Sequence, residues 1–272
     1  MIGSSPWTRR ALAAAGIFGL VFLTVPLLIV IPMSFSSARA LTFPPPSLSL
    51  RWYETFFGDP RWMEAMWTSI VIAAISSVAA LLLGGLAAYG LRRGTFGGRD
   101  WAEGNFMAPL VVPTIIAAIA LYLGLAKIGL LGSFTGLLLA HTILHVPVVM
   151  MVLGVAVRDF DLRIEQVAWS LGASWSYTAR RVLLPNLWPS VFAAWIFAFI
   201  GSFDEVIVTS FIAGRYETVP KRMFNELILE VNPTITAVAT LLIAFTILAL
   251  AAVALILRRA GKSTLVEGVT AG

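Results

Sequence analysis

Residues 158–187 read RDFDLRIEQVAWSLGASWSYTARRVLLPNL, a charged and amphipathic stretch between two long apolar runs. Both apolar runs are long enough to cross a bilayer as helices, so the polar stretch must lie at one face of the membrane. It carries four arginines, and basic loops stay on the cytoplasmic side. The sequence therefore predicts an ordered helical insert of about 30 residues in the cytoplasm, where a soluble partner can reach it.

The composition of the whole chain is that of a membrane protein. Hydrophobic residues make up 59% of its 272 residues and charged residues 12%, whereas soluble domains carry about 25% charged residues. The net charge of +5 does not indicate nucleic acid, because the basic residues lie in short loops. The absence of cysteine excludes a disulfide, a thiolate nucleophile and a cysteine metal site.

Six apolar runs are long enough to span a bilayer, which predicts an all-α, polytopic membrane protein. Pro109 and Pro113 fall inside the third run, where packing against neighbouring helices can tolerate them. We divide the chain into an N-terminal helix with its outer loop, a core transmembrane domain that contains the insert, and a cytoplasmic tail. The six spans are expected at about 11–33, 67–91, 105–126, 134–157, 188–213 and 235–257. The three regions are 1–66, 67–257 and 258–272.

The distribution of Lys and Arg predicts the orientation of the six spans. With the N-terminus inside, 12 of the 19 basic residues fall in cytoplasmic segments and seven in outer segments. An excess of basic residues marks the cytoplasmic side. We therefore expect both termini in the cytoplasm.

Asp204 and Glu205 are the only acidic residues inside a predicted span. A charged group at membrane depth is costly and is a functional-site hypothesis by default. Ser202, Glu205 and Thr209 share one small, polar face of the predicted helix. Two carboxylates at this depth suit a cationic substrate. Two alternatives stay open: a structural pair that is hydrogen bonded to neighbouring helices, or a pair wetted at the end of the span.

Two other patterns do not predict sites. His141 and His145 are spaced i, i+4, but with no acid between them and no further His or Cys they cannot supply four metal ligands. We expect a packed, hydrogen-bonded pair. Gly261–Thr264 reads GKST but lacks the earlier glycine of a phosphate-binding loop and follows an apolar helix. We therefore expect neither a metal nor a nucleotide site in this chain.

The insert resembles the coupling loop of ABC-importer permeases, whose pattern is E-A-A-x3-G-x9-I-x-L-P. Residues 166–168 stand at the E-A-A position and Gly172 at the glycine, and Val182, Leu184 and Pro185 follow after nine residues. The sequence departs from the pattern at Gln166, which stands for Glu, and at Val167, which stands for Ala. The resemblance implies a coupling helix at about 165–177 that docks on an ATPase. The residues implied in this docking are Glu165, Gln166, Ala168, Gly172, Ala173, Leu184 and Pro185.

Most of 60–257 resembles the second permease subunit of spermidine/putrescine-type importers. The resemblance is carried by Pro109-x-x-x-Pro113, by HTILHVPVVMMVL, and above all by SFDEVIVTSFIAG followed by Val219-Pro220. It implies a type I ABC-importer permease fold in the bacterial inner membrane and a cationic amine as substrate. The resemblance implies that Asp204 and Glu205 lie near the substrate path. Ser202 and Thr209 are candidate pathway residues because they share the polar helix face with Glu205. The implied partners are a second permease, a periplasmic binding protein and an ATPase dimer that holds ATP and Mg, with no cofactor in this chain.

Three alternatives to a polyamine permease remain at this stage. Permeases of similar appearance carry amino-acid derivatives, opines, phosphonates or thiamine. An ion-coupled carrier would use the same two acids without an ATPase, but such carriers commonly contain inverted repeats, and none is visible. An intramembrane enzyme would need a catalytic partner beside Asp204 or Glu205, and no such motif appears.

Overall fold

The computed structural model describes residues 6–229 and 232–270, and nearly all of them are helical. A π-helical turn at Ala179–Leu183 joins two of the helices. The predicted tail begins inside the last helix, and residues 271–272 lie outside the described part. The α-helices are α1 Pro6–Ser34, α2 Arg51–Gly58, α3 Pro60–Arg93, α4 Arg99–Val111, α5 Thr114–Lys127, α6 Phe134–Asp159, α7 Leu162–Ser170, α8 Trp175–Thr178, α9 Leu184–Phe203, α10 Ile207–Ile212, α11 Val219–Leu229 and α12 Thr234–Thr270.

The prediction of an all-α membrane fold is confirmed. Among the described residues, five helical stretches are long and apolar enough to cross a membrane, and a bent pair of helices raises the number to six. The first, second, fourth and sixth predicted spans each lie within one continuous helix. The five stretches are Trp7–Ser34, Pro60–Arg93, Phe134–Asp159, Trp175–Phe203 and Thr234–Arg258.

The third predicted span is not one straight helix. It consists of α4 and α5, which meet at an angle of 109°. The bend follows from Pro113, which disfavours helical backbone at the preceding residue. Val112 is accordingly extended, with φ −73° and ψ 131°, and α5 starts directly after the proline. The expectation that Pro113 would be tolerated inside a continuous span was wrong.

The chain divides into two compact units. The first contains residues up to 63 together with 225–245, as far as these are described. The segment between α1 and α3 includes the helix α2, whose Phe56 is 1% exposed and packs at a tilt against Trp62, with ring centroids 5.6 Å apart. The Ser34 and Tyr53 hydroxyls lie 2.8 Å apart and join the end of α1 to α2.

The second unit contains residues 64–224 and the described part of 246–272, and α6 is its most buried span. One end of α6 packs with α3 and α9 through Ala80, Val149 and Ala194, all fully buried. The other end packs with α5 and α10 through Ala140 and Ile212. Small side chains at these contacts let helices approach closely, which supplies the packing that holds spans together in lipid. The candidate site residues all lie in this unit.

Candidate functional site

The fifth predicted span is broken at its two acidic residues. α9 ends at Phe203 and α10 begins at Ile207, so Asp204–Val206 form a non-helical link. The break has a local cause, because the Glu205 Oε1 accepts a hydrogen bond from the Val208 backbone N–H at 2.8 Å. This contact replaces an intrahelical carbonyl and starts the short helix α10. The prediction of one continuous helix at 188–213 was therefore wrong.

The two acids have different surroundings. Asp204 follows the last residue of α9 and is exposed. Among the described residues, its carboxylate has neither a hydrogen bond nor an ion pair. Glu205 is half-buried, and its carboxylate is engaged by Val208. Asp204 is thus the acid whose charge remains available to a ligand, and Glu205 is the acid that shapes the backbone.

Ser202 and Thr209 are buried rather than open to a pathway. They are 3% and 0% exposed, and both contact His141 on α6. The Ser202 Oγ lies 2.8 Å from His141 Nδ1, and the Thr209 Oγ1 lies 3.0 Å from His141 Nε2. In this conformation their hydroxyl groups therefore face the bundle interior. Sequence reasoning expected a packed, hydrogen-bonded histidine pair, which is confirmed, but gave no signal that His141 contacts the fifth span.

The histidine pair packs tightly against α9. His145 Nδ1 donates to the His141 carbonyl oxygen at 2.7 Å. A Cβ at Gly201 would lie 2.7 Å from His145 Nε2, closer than a real Cβ contact allows. Only glycine at position 201 permits this approach. Among the described residues, no group of three or more His, Cys, Asp or Glu side chains is placed to hold a metal ion.

The insert at 158–187 contains two helices, α7 and α8, ahead of α9. α7 ends at Ser170, and α8 begins at Trp175 and continues through the π-helical turn into α9. The turn is a Schellman motif, in which Gly172 N–H donates to Trp169 O and Ala173 N–H donates to Ala168 O, both at 3.0 Å. The segment expected to hold the coupling helix, about 165–177, is therefore two helices joined at the left-handed Gly172.

Glycine is required at position 172 because of its backbone conformation and not because a neighbouring atom packs closely against it. Its φ is +86°, a left-handed conformation that other L residues adopt only at a cost. A Cβ there would meet nothing within 4 Å. The left-handed backbone forms a tight turn at this glycine, and the space around it remains free.

Glu165 points into the helix bundle instead of toward solvent. It is 1% exposed, and its carboxylate pairs with Arg93 at the end of α3, with Nη2 and Oε1 2.8 Å apart. The Tyr89 hydroxyl donates to its second oxygen at 2.8 Å. Arg93 Nη2 also donates to the Phe160 carbonyl oxygen at 2.9 Å. Glu165 is thus an internal anchor for α7, which corrects the expectation that it faces the ATPase.

The other predicted coupling residues remain accessible to a partner. Gln166, Gly172, Leu184 and Pro185 are exposed, and Ala168 and Ala173 are half-buried. Large apolar side chains on the same segment are also exposed, among them Val167, Trp169, Leu171, Trp175 and Tyr177. An exposed apolar surface on a polar segment marks an interaction site.

Comparison with known proteins identifies the family. The sequence profile of the family described as "Binding-protein-dependent transport system inner membrane component" matches residues 80–262. The chain belongs to this family. The permease is 32% identical over 224 residues to the spermidine/putrescine transport system permease protein PotC of Haemophilus influenzae, covering 82% of this chain and 86% of that protein. It is 33% identical over 247 residues to the putrescine transport system permease protein PotI of Escherichia coli K12, covering 88% and 86% of the two chains.

Solved structures confirm the fold of the permease. A bacterial ABC transporter involved in the import of the acidic polysaccharide alginate superposes with a TM-score of 0.66 at 16% identity, covering 95% of this chain and 99% of that one. The MetNI methionine ABC transporter gives a TM-score of 0.60 at 15% identity, covering 74% and 99%. The fold is therefore that of ABC-importer permeases, and family membership makes the chain a transport component rather than an enzyme.

Proposed function

We propose that this permease forms half of the membrane pathway of an ATP-driven importer that carries polyamine-like cations across the bacterial inner membrane. The named substrates of its curated relatives, spermidine and putrescine, support the cationic class. One observation carries the proposal within the chain itself. Asp204 presents an exposed, unpartnered carboxylate directly after the last residue of a helix long and apolar enough to cross a membrane. A charge next to the apolar part of a span needs a cation, a proton or water beside it, and an amine supplies the cation.

The broken helix is well suited to this role. Irregular backbone at membrane depth is tolerated where it lines a cavity, and discontinuous spans form the binding sites of many transporters. Glu205 holds the start of α10 through Val208, which keeps the link between the half-helices short. The adjacent Asp204 then projects from a defined position. A charge-assisted hydrogen bond from an ammonium group contributes about 1.5–3 kcal/mol.

The partners are a second permease, an ATPase dimer that holds ATP and Mg, and a periplasmic binding protein. In this proposal the ATPase docks on the exposed side chains around the Gly172 turn. ATP binding draws the ATPase subunits together and carries α7 and α8 with them, so that the cavity changes from inward-facing to outward-facing. For this to work, ATP must bind the closed arrangement more tightly than the open one.

Uptake of spermidine into vesicles tests the proposal. The permease is co-expressed with its ATPase, second permease and binding protein, and uptake is compared with a complex whose ATPase is catalytically inactive. We expect uptake only with the active ATPase, and competition by putrescine. Uptake that survives ATPase inactivation would favour an ion-coupled carrier. If a phosphonate or thiamine competes for uptake and putrescine does not, the substrate is not a polyamine.

A further inference from the structure

His141 contacts both halves of the broken fifth span. Its Nδ1 lies 2.8 Å from Ser202 Oγ on α9, and its Nε2 lies 3.0 Å from Thr209 Oγ1 on α10. These partners stand on opposite sides of the link that carries Asp204. We propose that His141 is a positioning residue that holds the two half-helices together and thereby sets the place of Asp204. The consequence for transport rests on the proposed role of Asp204 as the substrate contact.

The hydrogen bond from the Thr209 hydroxyl fixes which atom donates in each hydrogen bond among Thr209, His141 and Ser202. The Thr209 hydroxyl donates to the Glu205 carbonyl oxygen at 2.9 Å, so its oxygen must accept from His141. His141 therefore carries its proton on Nε2, and its Nδ1 accepts from the Ser202 hydroxyl. Ser202 Oγ in turn accepts from the Ser76 hydroxyl at 2.8 Å. The result is a chain of donors that starts on α3, crosses α9 and α6, and ends at the backbone of the break.

This arrangement pairs backbone and hydroxyl groups that the break would otherwise leave without partners. Interrupting a helix frees backbone groups, and an unpaired carbonyl in lipid costs several kcal/mol. Thr209 pairs the Glu205 carbonyl, and His141 holds the Thr209 hydroxyl in place. His141 is itself 0% exposed and is fixed by the His145 bond to its carbonyl. The backbone N–H of Asp204 donates to the Ile200 carbonyl oxygen of α9 at 2.9 Å, but its side chain has no hydrogen bond to another described residue. The position of the carboxylate therefore depends on the two half-helices.

The first test measures the position of residue 204 without reference to any substrate. The chain contains no cysteine, so an Asp204→Cys variant has a single thiol. Its rate of labelling by a water-soluble maleimide is measured in membrane vesicles, alone and combined with Thr209→Val. Losing the hydroxyl leaves buried polar groups unpaired, and we expect the labelling rate to change by about 5-fold or more. Thr209→Ser keeps the hydroxyl and should label like the single variant.

A matched control separates this effect from the loss of any buried hydroxyl. Thr142 is also buried on α6, but its hydroxyl donates only to the Leu138 carbonyl of its own helix at 2.7 Å. Thr142→Val should therefore leave the labelling rate at position 204 unchanged. Equal rates with and without Thr209→Val would overturn the positioning role of His141. A change of the same size from Thr142→Val would overturn it as well.

The second test asks whether His141 acts through Asp204 during transport. In the complex with its partners, Thr209→Val should raise the KM for spermidine more than it lowers kcat. In an Asp204→Asn background it should add little, because coupled residues are non-additive. If Thr209→Val raises the KM by the same factor in the Asp204→Asn background as in the parent, the positioning role of His141 is contradicted and the role of Asp204 is not. If Asp204→Asn alone transports spermidine like the parent, Asp204 is not the substrate contact. The labelling rates then still test whether His141 positions residue 204.

Discussion

Arg93 and Glu165 form a buried ion pair that ties the insert at 158–187 to the end of α3, a helix long enough to span a membrane. The Arg93 side chain is 15% exposed and that of Glu165 1%, and their nearest atoms are 2.8 Å apart. Tyr89, one turn earlier on α3, donates to the same carboxylate and packs edge-on against Trp175 of α8 at 5.9 Å. Both helices of the insert are thus attached to α3. Motion imposed on the insert by an ATPase would be transmitted to α3 through these contacts.

The first prediction concerns this attachment. Glu165→Gln keeps the shape and the contact with Tyr89 but leaves Arg93 without its counter-charge. Breaking a buried pair from one side destabilises by about 3–5 kcal/mol, so α7 should detach from α3. We expect ATP hydrolysis to continue while the amount of spermidine transported per ATP falls. The measurement is the ratio of transport to hydrolysis in reconstituted vesicles.

An exposed ion pair nearby provides the control for this prediction. Arg158 and Asp159 pair at 3.3 Å with side chains 63% and 64% exposed. Exposed pairs contribute only about 0–1 kcal/mol, so Asp159→Asn should leave the ratio of transport to hydrolysis unchanged. If Glu165→Gln transports as much spermidine per ATP hydrolysed as the parent, the ion pair does not transmit movement from the insert to α3.

The second prediction concerns the turn between α7 and α8. Gly172 has a φ of +86°, so a side chain there is strained although the space around it is free. Gly172→Ala should weaken association with the ATPase, because left-handed backbone costs about 1–2 kcal/mol for most residues. Gly172→Asn should retain more association, since Asn tolerates this conformation better. Co-purification of the ATPase with the permease measures the effect.

A second cytoplasmic-loop glycine tests whether the conformation is the cause. Gly97 also has open space around its Cβ position, and its φ is not positive. Gly97→Ala should leave ATPase co-purification at the parental level. Equal co-purification for all of these variants, including Gly172→Ala, would show that the turn does not organise the docking surface.

The third prediction is the orientation of the chain in the membrane. Because 12 of the 19 Lys and Arg residues fall in the segments assigned to the cytoplasm, both ends should lie inside. Reporter fusions at Arg99 and Ala260 should give a cytoplasmic signal, and a fusion at Arg51 a periplasmic one. A periplasmic signal at Ala260 contradicts this topology.

Local sequence predicted much of this structure, and long-range contacts account for the rest. The spans follow from apolar runs, and the turn at Gly172 follows from a residue that adopts left-handed backbone freely. The inward direction of Glu165 was not predictable, because its partner Arg93 lies 72 residues earlier in the chain. The break at Asp204 was missed for two reasons. One is the local capping of α10 by Glu205, and the other is the histidine from α6 that bridges the two half-helices.

The last prediction separates the two acids of the fifth span. Asp204 is exposed and unpaired, whereas Glu205 caps α10 through the Val208 N–H. Asp204→Asn should reduce the apparent affinity for spermidine by about 10- to 150-fold, the loss of one charge-assisted hydrogen bond, with assembly and ATP hydrolysis preserved. Glu205→Gln retains an oxygen that can accept from Val208 and should transport nearly as the parent does.

Two further variants serve as controls for the different roles assigned to Asp204 and Glu205. Glu205→Ala removes the hydrogen bond from the Val208 N–H to the Glu205 carboxylate, which contributes about 1.5–3 kcal/mol, and should lower thermal stability more than spermidine affinity. Glu54 is exposed on α2, so Glu54→Gln removes a carboxylate charge without touching the break and should leave transport unchanged. The measurements are uptake at varied spermidine concentration and thermal unfolding of the purified complex. If Glu205→Gln loses affinity and Asp204→Asn does not, the roles assigned to the two acids are reversed. If neither variant changes affinity, the acids are structural and the substrate need not be a cation.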